Sequence, residues 1–158
     1  MARLPPPDLQ PTSLIALVEE ACRLFRSRWK TERVVLETEW PAEDMIVRLD
    51  MDLMVHALIN VMSNAAEAAL VNPQRPPMVK LTASLLERGA TLSISDSGPG
   101  LALGLHDQVF QPFYTTKPQG TGVGLSFARQ VALSHGGDLV LQPSEEGGGA
   151  CFTFLLGR

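Results

Sequence analysis

The chain has 158 residues, of which 45% are hydrophobic, and this size and composition predict one domain with a single hydrophobic core. A net charge of −4 without clustered Lys and Arg argues against a nucleic-acid-binding protein. The apolar runs look shorter than the roughly 20 residues of a membrane span, and the two cysteines lack CxxC spacing. We therefore expect a cytoplasmic domain that does not itself enter a membrane, which leaves open a membrane anchor elsewhere in the parent protein.

The N-terminal segment is rich in proline. Within residues 1–12 there are four prolines, namely Pro5, Pro6, Pro7 and Pro11. Because proline cannot continue a helix and favours extended backbone, this segment is predicted to be a connector. We interpret 1–12 as a linker from a missing upstream domain and place the domain itself at 13–158.

The first half of the domain alternates between helix and strand patterns. The predicted elements are a helix over 14–29, strands over 34–40 and 46–49, and a long helix over 51–70. Thr12 or Ser13 is the expected N-cap of the first helix, and Asp50 is that of the second.

The second half contains a long irregular segment between regular elements. The predicted elements are a hairpin of strands 78–86 and 90–95, an irregular segment 97–121 with a short helical candidate at 103–109, a helix over 122–135, and a hairpin of strands 138–141 and 151–156. A long Gly- and Pro-rich segment inside a compact domain is typical of a functional lid. The order of elements predicts an α+β fold, a two-layer α/β sandwich with helices on one face of a mixed sheet.

The long helix 51–70 has a polar stripe in an otherwise apolar sequence. At about 100° per residue its polar side chains fall on one side. They are Asp52, His56, Asn60, Ser63, Asn64 and Glu67. A solvent-facing stripe is the common alternative, but solvent faces are usually rich in Lys, Arg and Glu. Amide oxygens can bind a hard cation and amide NH₂ groups can bind phosphate oxygens, so we expect this stripe to face a ligand.

A Gly-rich turn, Asp96-Ser97-Gly98-Pro99-Gly100, directly follows the strand at 90–95. These residue types all favour turns, so a purely structural turn is one interpretation. In the other interpretation, the Asp96 carboxylate accepts a hydrogen bond from an exocyclic amine such as that of adenine. Gly98 and Gly100 would then leave room for a flat ring. The turn alone does not decide between the two.

Three glycines at alternate positions, Gly120, Gly122 and Gly124, precede an apolar helical run. Gly lets the backbone approach a ligand closely, and the free N–H groups of a first helical turn attract anions. The segment therefore predicts phosphate binding, although it matches neither the P-loop nor the dinucleotide-binding pattern. Lys117, three residues upstream, is a suitable point charge for terminal phosphates, but a solvated lysine is the commoner role.

Taken together, four motifs in this order resemble the catalytic, ATP-binding domain of two-component sensor histidine kinases, in the GHKL ATPase superfamily. HALINVMSNAAEA at 56–68 is similar to the N box, and DSGPG at 96–100 to the G1 box. FQPFYTTK at 110–117 is similar to the F box, and GTGVGLS at 120–126 to the G2 box. The resemblance covers most of the chain from about residue 12. It implies a mixed sheet of about five strands covered on one face by three helices.

The resemblance also implies a role for each motif in binding ATP and Mg²⁺. Asn64 would coordinate Mg²⁺, with Asn60 one turn earlier facing the phosphates and the metal. Asp96 would bind the adenine amine, and Lys117 would steer the γ-phosphate, so that Asn60 and Lys117 are the implied catalytic residues. The residues implied to bind the nucleotide are Asn60, Asn64, Asp96, Gly98, Gly100, Lys117, Gly120, Thr121, Gly122, Val123, Gly124 and Leu125.

The sequence departs from the family pattern in two places. Ala150 stands where the family often has Ser or Thr near the adenine site, so water or a backbone group would have to assist Asp96, and Thr153 is not expected to be a ligand. The segment 102–105 lacks the acidic residues that are common after the G1 box. Phe110 and Phe113 are expected to pack the lid against the body of the domain.

The phosphoacceptor is expected outside this chain. Kinases of this family transfer the γ-phosphoryl group to a His, usually followed by an acidic residue, on a separate helical-hairpin dimerisation domain. Here His56 lies on the long helix, His106 lies in the predicted lid, and His135 ends a helix, where it is expected to interact with the helix dipole. The implied partners are thus a His-containing dimerisation domain of the same kinase and, indirectly, a response regulator.

Three functions are consistent with these residues. The leading one is phosphoryl transfer from Mg²⁺-ATP to a His supplied by another domain. A protein serine kinase of the anti-sigma-factor type shares the fold and is the second, and a nucleotide-dependent binding module without transfer activity is the third. The gyrase, mismatch-repair and chaperone branches commonly have an acidic base where Asn60 stands, so hydrolysis by an activated water is less expected here.

Overall fold

The computed structural model describes residues 4–100, 108–111, 124–142 and 149–157. The described helices are α1 (Leu14–Arg28), α2 (Met51–Leu70) and α3 (Gly124–Ser134). The described strands are β1 (Gln10–Ser13), β2 (Val35–Glu39), β3 (Ile46–Leu49), β4 (Met78–Leu86), β5 (Gly89–Asp96), β6 (Asp138–Gln142) and β7 (Cys151–Gly157). The predicted elements are present, and their ends coincide with the predicted ones or differ by at most two residues. The exception is the helical candidate at 103–109, of which only 108 and 109 are described, and these lie in a turn.

Five strands form the main sheet in the order β2-β4-β5-β7-β6. β2 runs parallel to β4, and the other neighbouring pairs are antiparallel, so the predicted mixed sheet of five strands is confirmed. Leu81 of β4 lies opposite Ile94 of β5, and Leu92 of β5 lies opposite Phe154 of β7. All four side chains are fully buried and form the sheet side of the core.

The three helices cover one face of this sheet, as predicted. α2 packs on β4 and β5, α3 packs on β6 and β7, and α1 packs on α2. With 20 residues, α2 is long and apolar enough to meet the length and hydropathy requirements of a membrane span, which corrects the expectation that the apolar runs are too short. Met54, Leu58 and Met62 are completely buried inside the domain, so α2 is the central helix of the core.

One strand of a second, two-stranded ribbon begins in the segment that the sequence analysis interprets as a linker. β1 pairs antiparallel with β3, with Gln10 opposite Leu49 and Ser13 opposite Ile46. Pro11 is tolerated in β1 because proline is compatible with an edge strand. Residues 10–12 are therefore extended, as a connector would be, but they are hydrogen-bonded to the domain.

The N-terminal ends of the first two helices are capped by side chains. Of the two predicted caps of α1, Ser13 takes this role, and its Oγ accepts from the backbone N–H of Ala16 at 3.0 Å. The Ser13 hydroxyl also donates to the carboxylate of Asp44, which accepts from the N–H of Ile15 at 3.0 Å. Asp50 caps α2, as predicted.

Candidate functional site

The first turn of α3 lies against two amide side chains of α2. A Cβ atom placed on Gly124 would be 3.7 Å from Cβ of Asn60 and 3.9 Å from Nδ2 of Asn64. These are ordinary van der Waals distances, so the start of α3 lies directly beside both asparagines. Because the first N–H groups of a helix have no intrahelical acceptor, this corner combines amide groups with backbone donors that suit an anion.

The polar stripe of α2 divides into two parts. Trp29, which follows α1, donates from Nε1 to Oγ of Ser63 over 3.4 Å. Ser63 is about 60° from Asn60 and about 100° from Asn64 around the helix axis, so it faces α1 while the asparagines face α3. The expectation that the whole stripe faces a ligand is therefore wrong for Ser63. Asp52 and His56 are exposed.

Asp96 ends β5 and is only 9% exposed. Its Oδ1 accepts hydrogen bonds from the backbone N–H of Gly98 at 2.8 Å and of Ala150 at 3.3 Å. Burial raises the pKa of the Asp96 carboxyl, and the two N–H donors partly oppose this rise. Both hydrogen bonds described for this side chain end on Oδ1, so Oδ2 is the oxygen that an amine donor would address.

Two glycines bring the backbone close around Asp96. A Cβ atom on Gly149 would lie 1.8 Å from the carbonyl oxygen of Asp96, and one on Gly98 would lie 2.8 Å from the carbonyl carbon and oxygen of Ala68 in α2. Neither distance is compatible with a side chain. The sequence analysis attributed Gly98 to the space needed by a flat ligand ring. The structure shows a second reason for a glycine, its close contact with the backbone of α2.

Ser97 ties this turn to the connection between α2 and β4. Its hydroxyl donates to the carbonyl oxygen of Pro76 at 3.0 Å and accepts from the N–H of Met78 at 2.9 Å. Nδ2 of Asn72 donates to the carbonyl oxygen of Ser97 at 2.9 Å. The turn then reaches Gly100, whose φ of +79° favours glycine. The sequence analysis assigned Ser97 only a preference for turns, because the hydrogen-bond partners of its side chain depend on the fold.

Thr153 already has hydrogen-bond partners within the sheet. Its hydroxyl donates to Oε1 of Gln142 at 2.9 Å and is 3.0 Å from Oγ of Ser93. The side chain is 2% exposed. The Thr153 hydroxyl is thus engaged within the sheet, and a backbone group, the N–H of Ala150, donates to Asp96.

The first residue of the predicted F box and the residue before it pack on the body of the domain. Val109 is buried, and the Phe110 ring meets Phe152 of β7 edge to face, with 5.8 Å between ring centroids. The expected packing of Phe110 is thus confirmed. Phe113 lies outside the described residues.

Only some of the residues predicted to bind the ATP phosphates lie within the described ranges. Those outside are Lys117, Gly120, Thr121, Gly122 and Val123. Gly124 and Leu125 begin α3, and Leu125 packs against the core. From Asn60 to Ala68, α2 extends about 12 Å. This helix therefore forms one wall from the corner with α3 to the turn that holds Asp96.

His135 connects two helices. Its Nε2 accepts from the backbone N–H of Asp50 at 3.0 Å, and its Nδ1 lies 2.7 Å from the carbonyl oxygen of Val131. Because Nε2 accepts, the ring proton is on Nδ1, which donates to Val131 at the end of α3. The expected interaction with the end of its own helix is thus present, and the bond to Asp50 is a contact that the sequence did not indicate.

The donor atoms beside Gly124 fit a magnesium ion bound together with phosphates. Within the described ranges no group of three or more His, Cys, Asp and Glu side chains is placed to hold a metal ion. The oxygen ligands at this corner would come from the amides of Asn60 and Asn64. Mg²⁺ prefers oxygen ligands and in nucleotide sites often has few protein ligands, because the phosphates supply others.

Comparison with known proteins agrees with this geometry. Residues 49–158 match the family described as histidine kinase-, DNA gyrase B-, and HSP90-like ATPase. The chain is 34% identical over 147 residues to the signal transduction histidine-protein kinase AtoS of Escherichia coli K12, covering 93% of this chain and 24% of AtoS. It is 31% identical over 150 residues to the sensor histidine kinase ZraS of the same strain, covering 94% of this chain and 31% of ZraS. The chain thus spans about a quarter to a third of these relatives.

Solved structures have the same fold. The catalytic domain of histidine kinase ThkA gives a TM-score of 0.83 at 29% identity, with 96% of each chain covered. The mycobacterial sensor histidine kinase MprB gives a TM-score of 0.79 at 27% identity, with 95% of this chain and 98% of that chain covered. The chain therefore belongs to the histidine kinase-, DNA gyrase B- and HSP90-like ATPase family, as a catalytic ATP-binding domain of the sensor histidine kinase type.

Proposed function

We propose that this domain binds Mg²⁺-ATP and presents the γ-phosphate to a His on a separate dimerisation domain, as part of two-component signal transduction. The observation that carries the proposal is the contact of the first turn of α3 with Asn60 and Asn64. There, amide side chains and backbone donors face the same corner. AtoS and ZraS are both named as histidine kinases, which supports transfer of the phosphoryl group to a His.

At the adenine end, Asp96 is the proposed recognition residue. Gly98 and Ala150 hold its Oδ1, so Oδ2 would accept the hydrogen bond from the exocyclic amine. Gly98 and Gly100 would shape the adjoining wall. Since Asp96 is buried, a nucleotide amine would replace solvent as the partner of an otherwise poorly solvated carboxylate.

At the phosphate end, Asn64 and Asn60 are the proposed metal ligands. Mg²⁺ held there would neutralise part of the negative charge of the ATP phosphates. Backbone N–H groups of the segment Gly120, Thr121, Gly122, Val123, Gly124 and Leu125 would bind phosphate oxygens. Lys117 would contact the γ-phosphate as a point charge.

The chemistry at Asn60 favours transfer over hydrolysis. An amide cannot take a proton from an attacking water, whereas a carboxylate in the same place can act as a general base. Catalysis by the chain's own residues would then consist of positioning and charge neutralisation, with the nucleophile supplied by another domain. The domain alone is expected to bind ATP and to turn it over slowly.

The dimerisation domain and the response regulator are proposed partners beyond this chain. We also propose that the domain works in the cytoplasm. Cys22 supports this placement because it is a buried free thiol in the core, whose pKa is raised by burial, as suits a reducing compartment.

A titration with ATP tests the proposed pocket. Mg²⁺ is expected to strengthen ATP binding to the wild type. Asn64→Ala should lose most of the Mg²⁺ effect, and Asp96→Asn should weaken ATP and ADP about tenfold or more, which corresponds to one charge-assisted hydrogen bond. Ser63→Ala is the matched control, since it lies next to Asn64 but faces α1. Absence of binding, or equal binding by all variants, would reject the proposal.

A second experiment tests the transfer. The domain is mixed with γ-labelled ATP and a fragment that carries the His-containing dimerisation domain of the parent kinase. An acid-labile phosphoryl product on His supports the proposed kinase. An acid-stable product on serine would favour the serine kinase of the anti-sigma-factor type, and nucleotide binding with no product would favour a binding module.

A further inference from the structure

One peptide group joins Asp96, the proposed adenine-recognition residue, to a side chain just beyond the end of α2. The N–H of Gly98 donates to Oδ1 of Asp96 at 2.8 Å. The carbonyl oxygen of the same peptide group belongs to Ser97, and it accepts from Nδ2 of Asn72 at 2.9 Å. Because a peptide group is planar and rigid, the bond at its carbonyl also fixes the direction of its N–H. The hydrogen bond that holds Oδ1 therefore depends on Asn72.

The amide of Asn72 is itself held at both of its polar atoms. Its Oδ1 accepts from the backbone N–H of Gln74 at 3.1 Å. A backbone N–H needs an acceptor, so the amide oxygen faces Gln74 and the NH₂ group faces the carbonyl of Ser97. The side chain is also half-buried. The donor that meets Ser97 is thus oriented in advance by the backbone that follows α2.

Ser97 is anchored through its other polar atoms to the start of β4. The residue is 5% exposed, and its backbone N–H donates to the carbonyl oxygen of Met78 at 3.0 Å. Its hydroxyl joins the N–H of Met78 to the carbonyl oxygen of Pro76. Asn72 satisfies the carbonyl oxygen of Ser97. Without this donor, the carbonyl of a buried residue has to turn toward water, and the N–H of Gly98 turns with it.

We propose that Asn72 is a positioning residue for adenine recognition, acting on the Asp96 carboxylate through the peptide group between Ser97 and Gly98. This inference rests on the proposed function, in which Oδ2 of Asp96 accepts a hydrogen bond from the exocyclic amine. A carboxylate is planar and rigid, so the bond that holds Oδ1 also sets the direction of Oδ2. Asn72 therefore contributes to the preference for a purine that carries this amine over one that lacks it.

Two nucleotides separate positioning from a general structural role. ATP carries the exocyclic amine, and purine riboside 5′-triphosphate has a hydrogen atom in its place. Damage to the fold or to the phosphate end weakens both nucleotides equally, whereas misdirection of Asp96 weakens ATP and leaves the analogue nearly unchanged. The wild type is expected to prefer ATP about tenfold or more, which corresponds to one charge-assisted hydrogen bond.

The measurement is calorimetric titration of each nucleotide, with Mg²⁺, into matched variants. Asn72→Asp keeps the acceptor for Gln74 but places an oxygen against the Ser97 carbonyl. It is expected to weaken ATP about three- to tenfold with the analogue within about twofold, a range set by one neutral hydrogen bond. Asn72→Ala should show the same change, which excludes the added charge as its cause. Gln10→Glu is the control and should keep the wild-type preference, because the Gln10 amide donates to Asp8 on the exposed N-terminal segment.

A double variant tests whether Asn72 acts through Asp96. If it does, Asn72→Ala will leave the ATP preference unchanged in the Asp96→Asn background. Equal losses of both nucleotides, an unchanged preference, a change in Asn72→Asp alone, or a further loss of preference in the double variant would each overturn the inference and leave the proposed function intact. A wild type that binds neither nucleotide would reject the proposed function, and one that binds both equally would reject its adenine end. The inference is overturned in either case.

Discussion

The backbone N–H of Asp50 donates a hydrogen bond to Nε2 of His135 across 3.0 Å, which joins the start of α2 to the end of α3. The Asp50 carboxylate also accepts from the N–H of Leu53 at 3.2 Å and of Asp8 at 3.0 Å. Asp50 thus connects three parts of the domain: the N-terminal segment at Asp8, the start of α2 and the end of α3. The junction fixes the end of α3 that is farther from the site.

His135→Ala is expected to lower the free energy of unfolding by about 1 kcal/mol, because the Asp50 N–H and the Val131 carbonyl lose their shared partner. Urea unfolding followed by circular dichroism measures the change. His56→Ala is the control, since His56 is exposed on α2 and its loss should stay within about 0.5 kcal/mol. Similar losses in the two variants would contradict the role of the junction.

Asp96→Asn is expected to stabilise the unliganded domain at neutral pH. Burial raises the pKa of Asp96 in the folded state, so the folded protein binds this proton more tightly than the unfolded chain does. Stability contributed by this group is present below the ordinary Asp pKa of about 3.9 and is lost as the pH rises through the raised value. Asparagine keeps the acceptor for Gly98 and Ala150 and removes the buried charge.

The measurement is urea unfolding of wild type and Asp96→Asn between pH 4 and neutral. The stability difference should grow with pH and then become constant. Glu87→Gln, in the exposed turn between β4 and β5, is the control and should show no such growth. A difference that shrinks as the pH rises would show that the hydrogen bonds of Asp96 outweigh its burial.

Gly149→Ala is expected to destabilise the domain by at least about 3 kcal/mol, because the new Cβ would lie 1.8 Å from the carbonyl oxygen of Asp96. Gly157→Ala, with no atom within 4 Å of the new Cβ, should be close to neutral. Thermal unfolding compares them. If Gly149→Ala does not fold, Gly98→Ala should rank between the two, since its closest contact would be 2.8 Å. A neutral Gly149→Ala would refute the close approach.

Asp44→Asn is expected to lower stability near pH 7 and to make the acid limb of unfolding less steep. The Ser13 hydroxyl, together with backbone N–H groups, lowers the pKa of Asp44 in the folded state. Its stabilisation is therefore present above about pH 3.9 and is lost as the pH falls through the lowered value. Acid titration of both proteins checks this, with the exposed neighbour Glu43→Gln as control. Parallel curves for wild type and Asp44→Asn would contradict it.

Local patterns were sufficient for most of the fold. The Asp50 cap and the apolar spacing of 51–70 predicted α2 with its ends as observed, because capping and helical periodicity are local properties. The strand β1 was missed, since Pro11 and the prolines before it indicate a connector and its only described ladder is with β3, more than 30 residues away. Pairing over that distance leaves no local signal.

The site residues could be predicted where several polar side chains lie on one helix. Contacts between residues on different elements could not be predicted. Asn60 and Asn64 could be paired by their helical spacing, although their roles remain predictions. Ser63 could not be separated from them, because its direction depends on where α1 packs. Asn72 could not be linked to Ser97, since no periodicity relates two residues that follow different elements.

The close approach of α3 to Asn60 has a consequence for how such domains diverge. Ala57 precedes Asn60 by one turn, Ala128 follows Gly124 by one turn, and both are completely buried. Ala57 is about 20° from Asn64 around α2, and Ala128 is about 40° from Gly124 around α3. Both small side chains therefore lie on the sides where the two helices approach each other, and they help to set the spacing between α2 and α3. Enlarging either one would move the helices apart. Selection can therefore change nucleotide affinity through alanines in the core, and two domains with identical sequence motifs can differ in affinity for this reason alone.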